Sequence, residues 1–157
     1  MTGFKTLHGA AQMKALGARV ARQFARAAKG KKGNAAAVFA LVGDLGSGKT
    51  TFVQGFVGAL NKRHRVVSPT FLIMRPYPVA RRGKRNIRRI YHMDAYRIRR
   101  GAQLAPVGFY DALKEPDAVI LVEWADRIKR HIPPHARWIS FTHGETETMR
   151  RVALRRR

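Results

Sequence analysis

The segment from Gly43 to Thr50 reads G-D-L-G-S-G-K-T, which is the spacing G-x-x-x-x-G-K-[ST] of a loop that wraps phosphate groups. Its neighbours constrain the fold further. Ala35 to Val42 (AAAVFALV) is a short, nearly continuous apolar run, the pattern of a parallel strand buried on both faces. After the loop, Phe52, Val53, Phe56, Val57 and Leu60 recur at helical spacing. Strand, glycine-rich turn and helix therefore follow one another, and this context separates a phosphate cradle from a turn whose lysine is merely solvated. The residue types fit a cradle, since glycines let backbone N–H groups point at phosphate oxygens, Lys49 neutralises them, and Thr50 offers a hydroxyl to Mg²⁺. The helix that follows adds the positive end of its dipole.

The rest of the chain supplies further strands and helices. Met13, Leu16, Val20 and Phe24 predict an amphipathic helix over Gly9 to Ala28 with a basic outer face. Lys29 to Asn34 is a charged turn, and Val66 to Val79 is extended but interrupted by Pro69, Pro76 and Pro78. Ile87 to Met93 is a strand, joined to that extended stretch by a basic loop over Ala80 to Arg89. Helix and turn mix from Asp94 to Lys114, and Ala118 to Val122 (AVILV) is a second buried strand. A short helix over Asp126 to His131, a break at Pro133 and Pro134, and strands over Arg137 to Thr142 and Met149 to Arg155 complete the reading. This alternation predicts an α/β sandwich around a mainly parallel sheet. Residues 1–157 are expected to form a single domain.

Acids are rare, so their positions carry information. The chain has 9 Asp and Glu against 32 Lys and Arg, a formal net charge of +23. A phosphate loop also needs an acid to hold the magnesium, usually at the end of a neighbouring strand. Glu123 ends Ala118 to Val122, and Asp94 ends the run from Ile90 to Met93. Asp44 either meets the γ-phosphate region or caps its turn. Ser68 and Thr70 flank Pro69 in a rigid turn that is a γ-phosphate sensor or an ordinary cap. His92 has no second histidine at ligand spacing and reads as structural, and the scattered histidines predict no zinc site. Trp124 is core or a lid.

The charge balance favours contact with phosphates, although a proteome-wide bias toward arginine would produce the same composition. The residues placed to meet nucleic acid are Lys31, Lys32, Arg81, Arg82, Lys84, Arg85, Arg88, Arg89 and the tail Arg155 to Arg157. No cysteine is present, which removes disulfides and thiol-bound metals. No apolar run reaches the roughly 18 residues of a membrane span, and the first residues lack the features of a secretory signal. The expected location is the cytoplasm.

Four segments in order, G43-D-L-G-S-G-K-T-T-F52, S68-P-T-F71, Y91-H-M-D-A-Y-R97 and V119-I-L-V-E-W124, resemble the bacterial TsaE (YjeE) family. That family is the ATPase subunit of the machinery making N6-threonylcarbamoyladenosine in tRNA. The resemblance spans nearly the whole chain and implies a P-loop NTPase-like fold, ATP with Mg²⁺, and weak hydrolysis coupled to the threonylcarbamoyl-transfer complex of TsaB and TsaD type. It further implies that Gly43, Asp44, Gly46, Ser47, Gly48, Lys49, Thr50 and Thr51 line the ATP site, with Thr70 and Trp124. Thr50 and Glu123 would hold the metal, and Asp94 and Glu123 would serve hydrolysis. An arginine of the last strand is expected near the nucleotide; of Arg150 and Arg151, Arg151 is the choice. This chain departs from the family pattern at Leu72 and Met13, and in its strong basicity. Direct contact with tRNA is a further expectation. Two other readings compete: a small P-loop kinase, which the absence of a lid-sized insertion disfavours, and a basic RNA-binding protein with a vestigial loop, which intact Gly48, Lys49, Thr50 and Glu123 disfavour.

Overall fold

A computed structural model describes residues 4–28, 33–61, 66–69, 71–79 and 87–155. Thr70, the basic turn at 29–32, the loop at 80–86 with Arg81, Arg82, Lys84 and Arg85, and the last two arginines lie outside the described residues. One seven-stranded sheet organises the rest. In chain order the elements are β1 (Phe4–His8), α1 (Gly9–Ala27), β2 (Ala37–Val42), α2 (Lys49–Leu60), β3 (Met74–Pro78), β4 (Arg89–Asp94), α3 (Phe109–Leu113), β5 (Ala118–Glu123), β6 (Arg137–His143) and β7 (Met149–Arg155). The sheet order is β1-β7-β6-β2-β5-β4-β3. The central strands β6, β2, β5 and β4 run parallel, while β3, β7 and β1 add antiparallel edges. The expected α/β architecture is therefore present, with helices on both faces of a sheet that is parallel in its middle.

Alternation along each central strand separates two cores, because successive side chains point to opposite faces. Phe39 and Leu41 of β2, Val119 and Leu121 of β5 and Ile139 and Phe141 of β6 lie under α1 and α2. Val38 and Ala40, Ile120 and Val122, and Tyr91 and Met93 face the other layer, where Leu104, Phe109 and Ile128 cover them. On the α1/α2 side a chain of rings, Phe24, Phe39, Phe56, Phe52 and Phe141, meets with centroids 5.2 to 6.3 Å apart, and edge-to-face contacts of this kind add to simple burial.

Three elements differ from the sequence reading. β1 is absent from it; five residues with Leu7 alone buried show too little alternation to mark a strand, and only pairing with β7 makes one. Of the extended stretch 66–79, only Met74–Pro78 joins the sheet, and Pro76 and Pro78 sit on its edge strand, where a missing N–H costs no internal ladder bond. The segment Ala125–His131 is 3₁₀ helix with a kink at Ile128, not a regular α-helix.

α1 starts without a side-chain cap of the usual kind; instead Gln12, one position beyond that of a capping box, accepts the His8 N–H through Oε1 at 2.9 Å. Its buried face carries Met13, Leu16, Val20, Ala21 and Ala25. It crosses α2 so closely that a Cβ on Gly55 would collide with the Lys14 carbonyl oxygen, and a Cβ on Gly17 with that of Phe52. This contact yields a test. Gly55→Ala in a helix interior gains up to about 1 kcal/mol of intrinsic propensity, but forcing backbone from backbone costs about 1–3 kcal/mol or more. The variant is expected to be net destabilised, seen as a lower urea midpoint; an unchanged or raised midpoint would contradict the close crossing.

Candidate nucleotide site

The loop from Gly43 to Gly48 leaves the carboxyl end of β2, between β5 and β6, the edge where ligands of open α/β sheets bind. Two glycines are dictated by geometry. A Cβ on Gly43, at φ +146°, would strike the Phe141 carbonyl oxygen of the adjacent β6. Gly48, at φ +100°, is the left-handed residue that turns the chain into α2. No acid occupies the first turn of α2, so nothing in the helix itself offsets its positive end there.

Lys49 is only 4% exposed. Its Nζ donates to the Gly43 carbonyl at 2.6 Å and the Asp44 carbonyl at 2.9 Å, approaches Ser47 Oγ at 3.5 Å, and lies 4.0 Å from the centre of the Trp124 ring. Burial pushes its pKa below the ordinary lysine value; the carboxylates of Glu123, Asp94, Asp126 and Asp44 oppose that shift without cancelling it. The ammonium thus folds back over its own loop and is held by its carbonyls.

Asp94 and Glu123 end the neighbouring strands β4 and β5 and are register partners. Both are buried. Thr50 Oγ1 donates to Glu123 Oε2 at 2.9 Å, and His92 Nε2 lies 2.7 Å from Glu123 Oε1. A carboxylate only accepts, so Nε2 carries the proton and donates. Nδ1 of the same ring is buried with no hydrogen-bond partner among the described residues. Asp94 Oδ1 accepts the Tyr96 N–H at 2.9 Å.

Two clefts flank the loop. One, of about 350 Å³, is walled by Lys49, Thr50, Ser68, Asp94, Glu123 and Trp124, with Leu45, Tyr96 and Arg97 at its rim. The other, of about 430 Å³, lies between Gly9, Ala10 and Met13 of α1 and Thr148 and Arg150. Gly46, Gly48 and Thr51 border both. A larger hollow of about 560 Å³ sits among Phe24, Pro116, His135 and Arg137, by the amino ends of β5 and β6, and contains none of the motif residues.

The structure brings together Lys49, Thr50, Thr51, Asp94, Glu123 and Trp124, with Gly43, Asp44 and Ser47 as the lysine's partners. The Asp44 side chain is exposed and lines neither cleft; its carbonyl does the holding. Trp124 is a wall of the cleft. It adopts a left-handed backbone at φ +57° and packs on Tyr96 with ring centroids 4.9 Å apart. Arg151 is placed elsewhere: it pairs with Glu145 at 2.5 Å, and its neighbour Arg150 borders the second cleft and donates from Nε to the Gly46 carbonyl at 3.0 Å. Adjacent residues of a strand face opposite sides, and the register of β7, invisible in sequence, decides which one meets the loop. His143 reaches the Leu45 carbonyl at 3.1 Å, a contact absent from the sequence reading. His92, structural by its spacing, is seated on Glu123; its signal is the two-residue step from His92 to Asp94 on one strand face.

The pairing of His92 with Glu123 predicts an asymmetry. His92→Phe keeps the ring volume but strips a donor from a buried carboxylate, at a cost of about 1–3 kcal/mol. Adding Glu123→Met removes the stranded charge and should recover part of that loss. Chemical denaturation of the two variants checks this; a double variant less stable than His92→Phe alone would contradict it.

A family model described as threonylcarbamoyl adenosine biosynthesis protein TsaE matches residues 7–152. The tRNA threonylcarbamoyladenosine biosynthesis protein TsaE of Bacillus subtilis (strain 168) is 38% identical over 96 residues, covering 61% of this chain and 55% of that protein. The protein of the same description from Haemophilus influenzae is 34% identical over 93 residues, covering 59% and 54%. The aligned part thus spans a little over half the length of these relatives. A solved structure, Bacillus subtilis YdiB, superposes with a TM-score of 0.63 at 26% identity, covering 98% of this chain and 86% of that one. With a family model matching nearly all of its length, over the segments that build the loop and its two strand-end acids, the chain belongs to the TsaE family of tRNA threonylcarbamoyladenosine biosynthesis.

Proposed function

We propose that this protein is a Mg²⁺-dependent ATPase, weakly active alone, that works with a threonylcarbamoyl-transfer complex of TsaB and TsaD type in the cytoplasm. The observation that carries the reading is the convergence of Lys49, Thr50, Asp94 and Glu123 around one cleft at the carboxyl ends of β2, β4 and β5. Among the described residues no helix is long and apolar enough to cross a membrane.

The donor set suits a hard cation. Thr50 Oγ1 and Glu123 Oε2 are oxygen donors 2.9 Å apart, with the Asp94 carboxylate on the adjacent strand. Among the described residues no group of three or more His, Cys, Asp or Glu gathers as a self-sufficient ligand cage, which accords with an ion held by one or two protein oxygens plus phosphates and water. Thr50 and Glu123 would hold Mg²⁺, which when bound neutralises charge building on the phosphate oxygens. His92 keeps Glu123 Oε1 occupied and thereby aims Oε2 at Thr50. Asp94 is placed to orient water. Lys49 exchanges the Gly43 and Asp44 carbonyls for phosphate oxygens, and the α2 amino end adds its N–H groups. The second cleft, with Met13 and Arg150, is left for the nucleoside. Slow turnover fits Arg97, the arginine at the rim, being stacked over Phe71 at 5.0 Å, so that an outside partner or a rearrangement is needed to bring a cation to the transferring group.

Two tests follow. Lys49→Ala is expected to lower ATP affinity about ten- to a hundredfold, as charge-assisted hydrogen bonds are lost. Glu123→Gln and Asp94→Asn should cut turnover roughly a hundredfold or more while changing nucleotide affinity far less, and their effects should fall short of additivity. Isothermal titration and single-turnover hydrolysis read both, and full affinity in Lys49→Ala would sink the assignment.

The lowered Lys49 pKa gives an independent check. Phosphate anions beside Nζ favour its charged form, so binding raises the pKa that burial had depressed. As pH approaches the ordinary lysine value of about 10.4, ATP binding should take up a proton, and affinity should fall as pH rises through that range. Binding enthalpies in buffers of different ionisation heat measure the uptake; proton release, or none in the wild type, would refute it.

A further inference from the structure

The basic surplus of this chain is not spread evenly, and its distribution points to a surface. All nine acids lie at Asp44 or beyond. Between Phe4 and Leu60, Asp44 in the loop is the lone carboxylate, so neither α1 nor α2 carries one. The acids that form ion pairs among the described residues do so with Arg88, Arg89, His92, Lys114 and Arg151, and none pairs with α1. The outer face of α1 presents Arg19, Arg22 and Arg26, all exposed, whereas Lys14 lies on the flank where α1 crosses α2 at Gly55. The three arginines are spaced three and four apart on one side of the helix, a rise of about 10 Å at 1.5 Å per residue.

Such a row is costly on its own. Like charges at three- and four-residue spacing destabilise a helix by about 0.2–0.5 kcal/mol per pair. Arg26 has a local compensation, since it lies in the last turn beside the negative end of the helix dipole. Arg19 and Arg22 have none of that kind. The apolar face of α1 is already spent against the sheet and α2, so the helix cannot insert into a lipid layer by that face. All three cations are arginines, whose planar forks match phosphate oxygens two at a time.

We infer that the outer face of α1 is a docking surface for the phosphate backbone of RNA, and that in this family the RNA is tRNA. The contact is with phosphates in series and reads no bases, since the three side chains are flexible cations on a convex face. It rests on the chain's place in tRNA modification and not on ATP hydrolysis. The face is separate from the nucleotide clefts, so RNA can be held while Lys49, Thr50 and Glu123 remain open to nucleotide.

The test is equilibrium binding of a tRNA transcript across a salt series, with the full chain, a variant carrying Arg19→Gln, Arg22→Gln and Arg26→Gln, and a variant carrying Arg19→Lys, Arg22→Lys and Arg26→Lys. Each lost phosphate contact lowers the slope of log affinity against log salt by roughly 0.7–0.9. The glutamine variant should therefore lose about two and a half units of slope and bind weakly, while the lysine variant, which keeps the charges but not the planar forks, keeps the parent's slope. ATP affinity, measured on the same preparations, should be equal in all three, which separates failure of the RNA face from failure of the nucleotide reading. Equal tRNA binding by parent and glutamine variant overturns the inference. So does an equal loss of slope in the lysine variant, which keeps every charge, and so does a parent that ignores tRNA but binds phosphatidylglycerol vesicles or polyglutamate through the same three residues.

Discussion

One buried carboxylate holds the site together. Glu123 is 3% exposed, and a carboxyl group taken that far from water must have both oxygens hydrogen-bonded. Its two oxygens answer to different elements: Oε1 to His92 on β4, Oε2 to Thr50 at the start of α2. Glu123 itself ends β5. A single side chain therefore ties two parallel strands to the first turn of the helix that follows the loop. Movement of any of the three would strand a charge, and that constraint keeps the Thr50 hydroxyl, the Glu123 carboxylate and the Asp94 carboxylate in register.

The loop is held from its other side by carbonyl contacts. Lys49 takes the Gly43 and Asp44 carbonyls, Arg150 takes that of Gly46 and His143 that of Leu45. Four side-chain interactions thus secure four consecutive carbonyls of a glycine-rich segment whose freedom in the unfolded chain is large. The carbonyls are taken by side chains, while within the loop the Ser47 N–H turns back to the Asp44 carbonyl at 3.2 Å. Two of these side chains come from the hairpin of β6 and β7, which gives that hairpin a role beyond widening the sheet: it sets the shape of the loop and walls the second cleft.

Charge is partitioned in the same spatial way as the chemistry. Asp44, Asp94, Glu123 and Asp126 surround the lysine of the loop, while Asp111, Glu115 and Asp117 gather at α3 and the start of β5. The α1 face receives none. A uniform compositional drift toward arginine raises positive charge everywhere, but it does not by itself empty one face of acids and leave others in ion pairs.

Sequence alone determined the loop, the strand before it and the helix after it, because hydrophobic period and glycine spacing are local properties. It also determined the two strand-end acids, since Asp94 and Glu123 each stand where an apolar run stops in a chain with few carboxylates. What it did not carry was set by register and by crossing distance. Arg150 rather than Arg151 reaches the loop because β7 pairs with β6 in one register, and a shift of one residue would exchange them. The strand at Phe4–His8 exists because β7 offers an edge. His92 is a partner of Glu123 because β4 and β5 are neighbours, and Gly17 and Gly55 matter because two helices far apart in sequence touch backbone to backbone. These are relations between segments distant along the chain, and only the folded sheet, by bringing their backbones side by side, decided them.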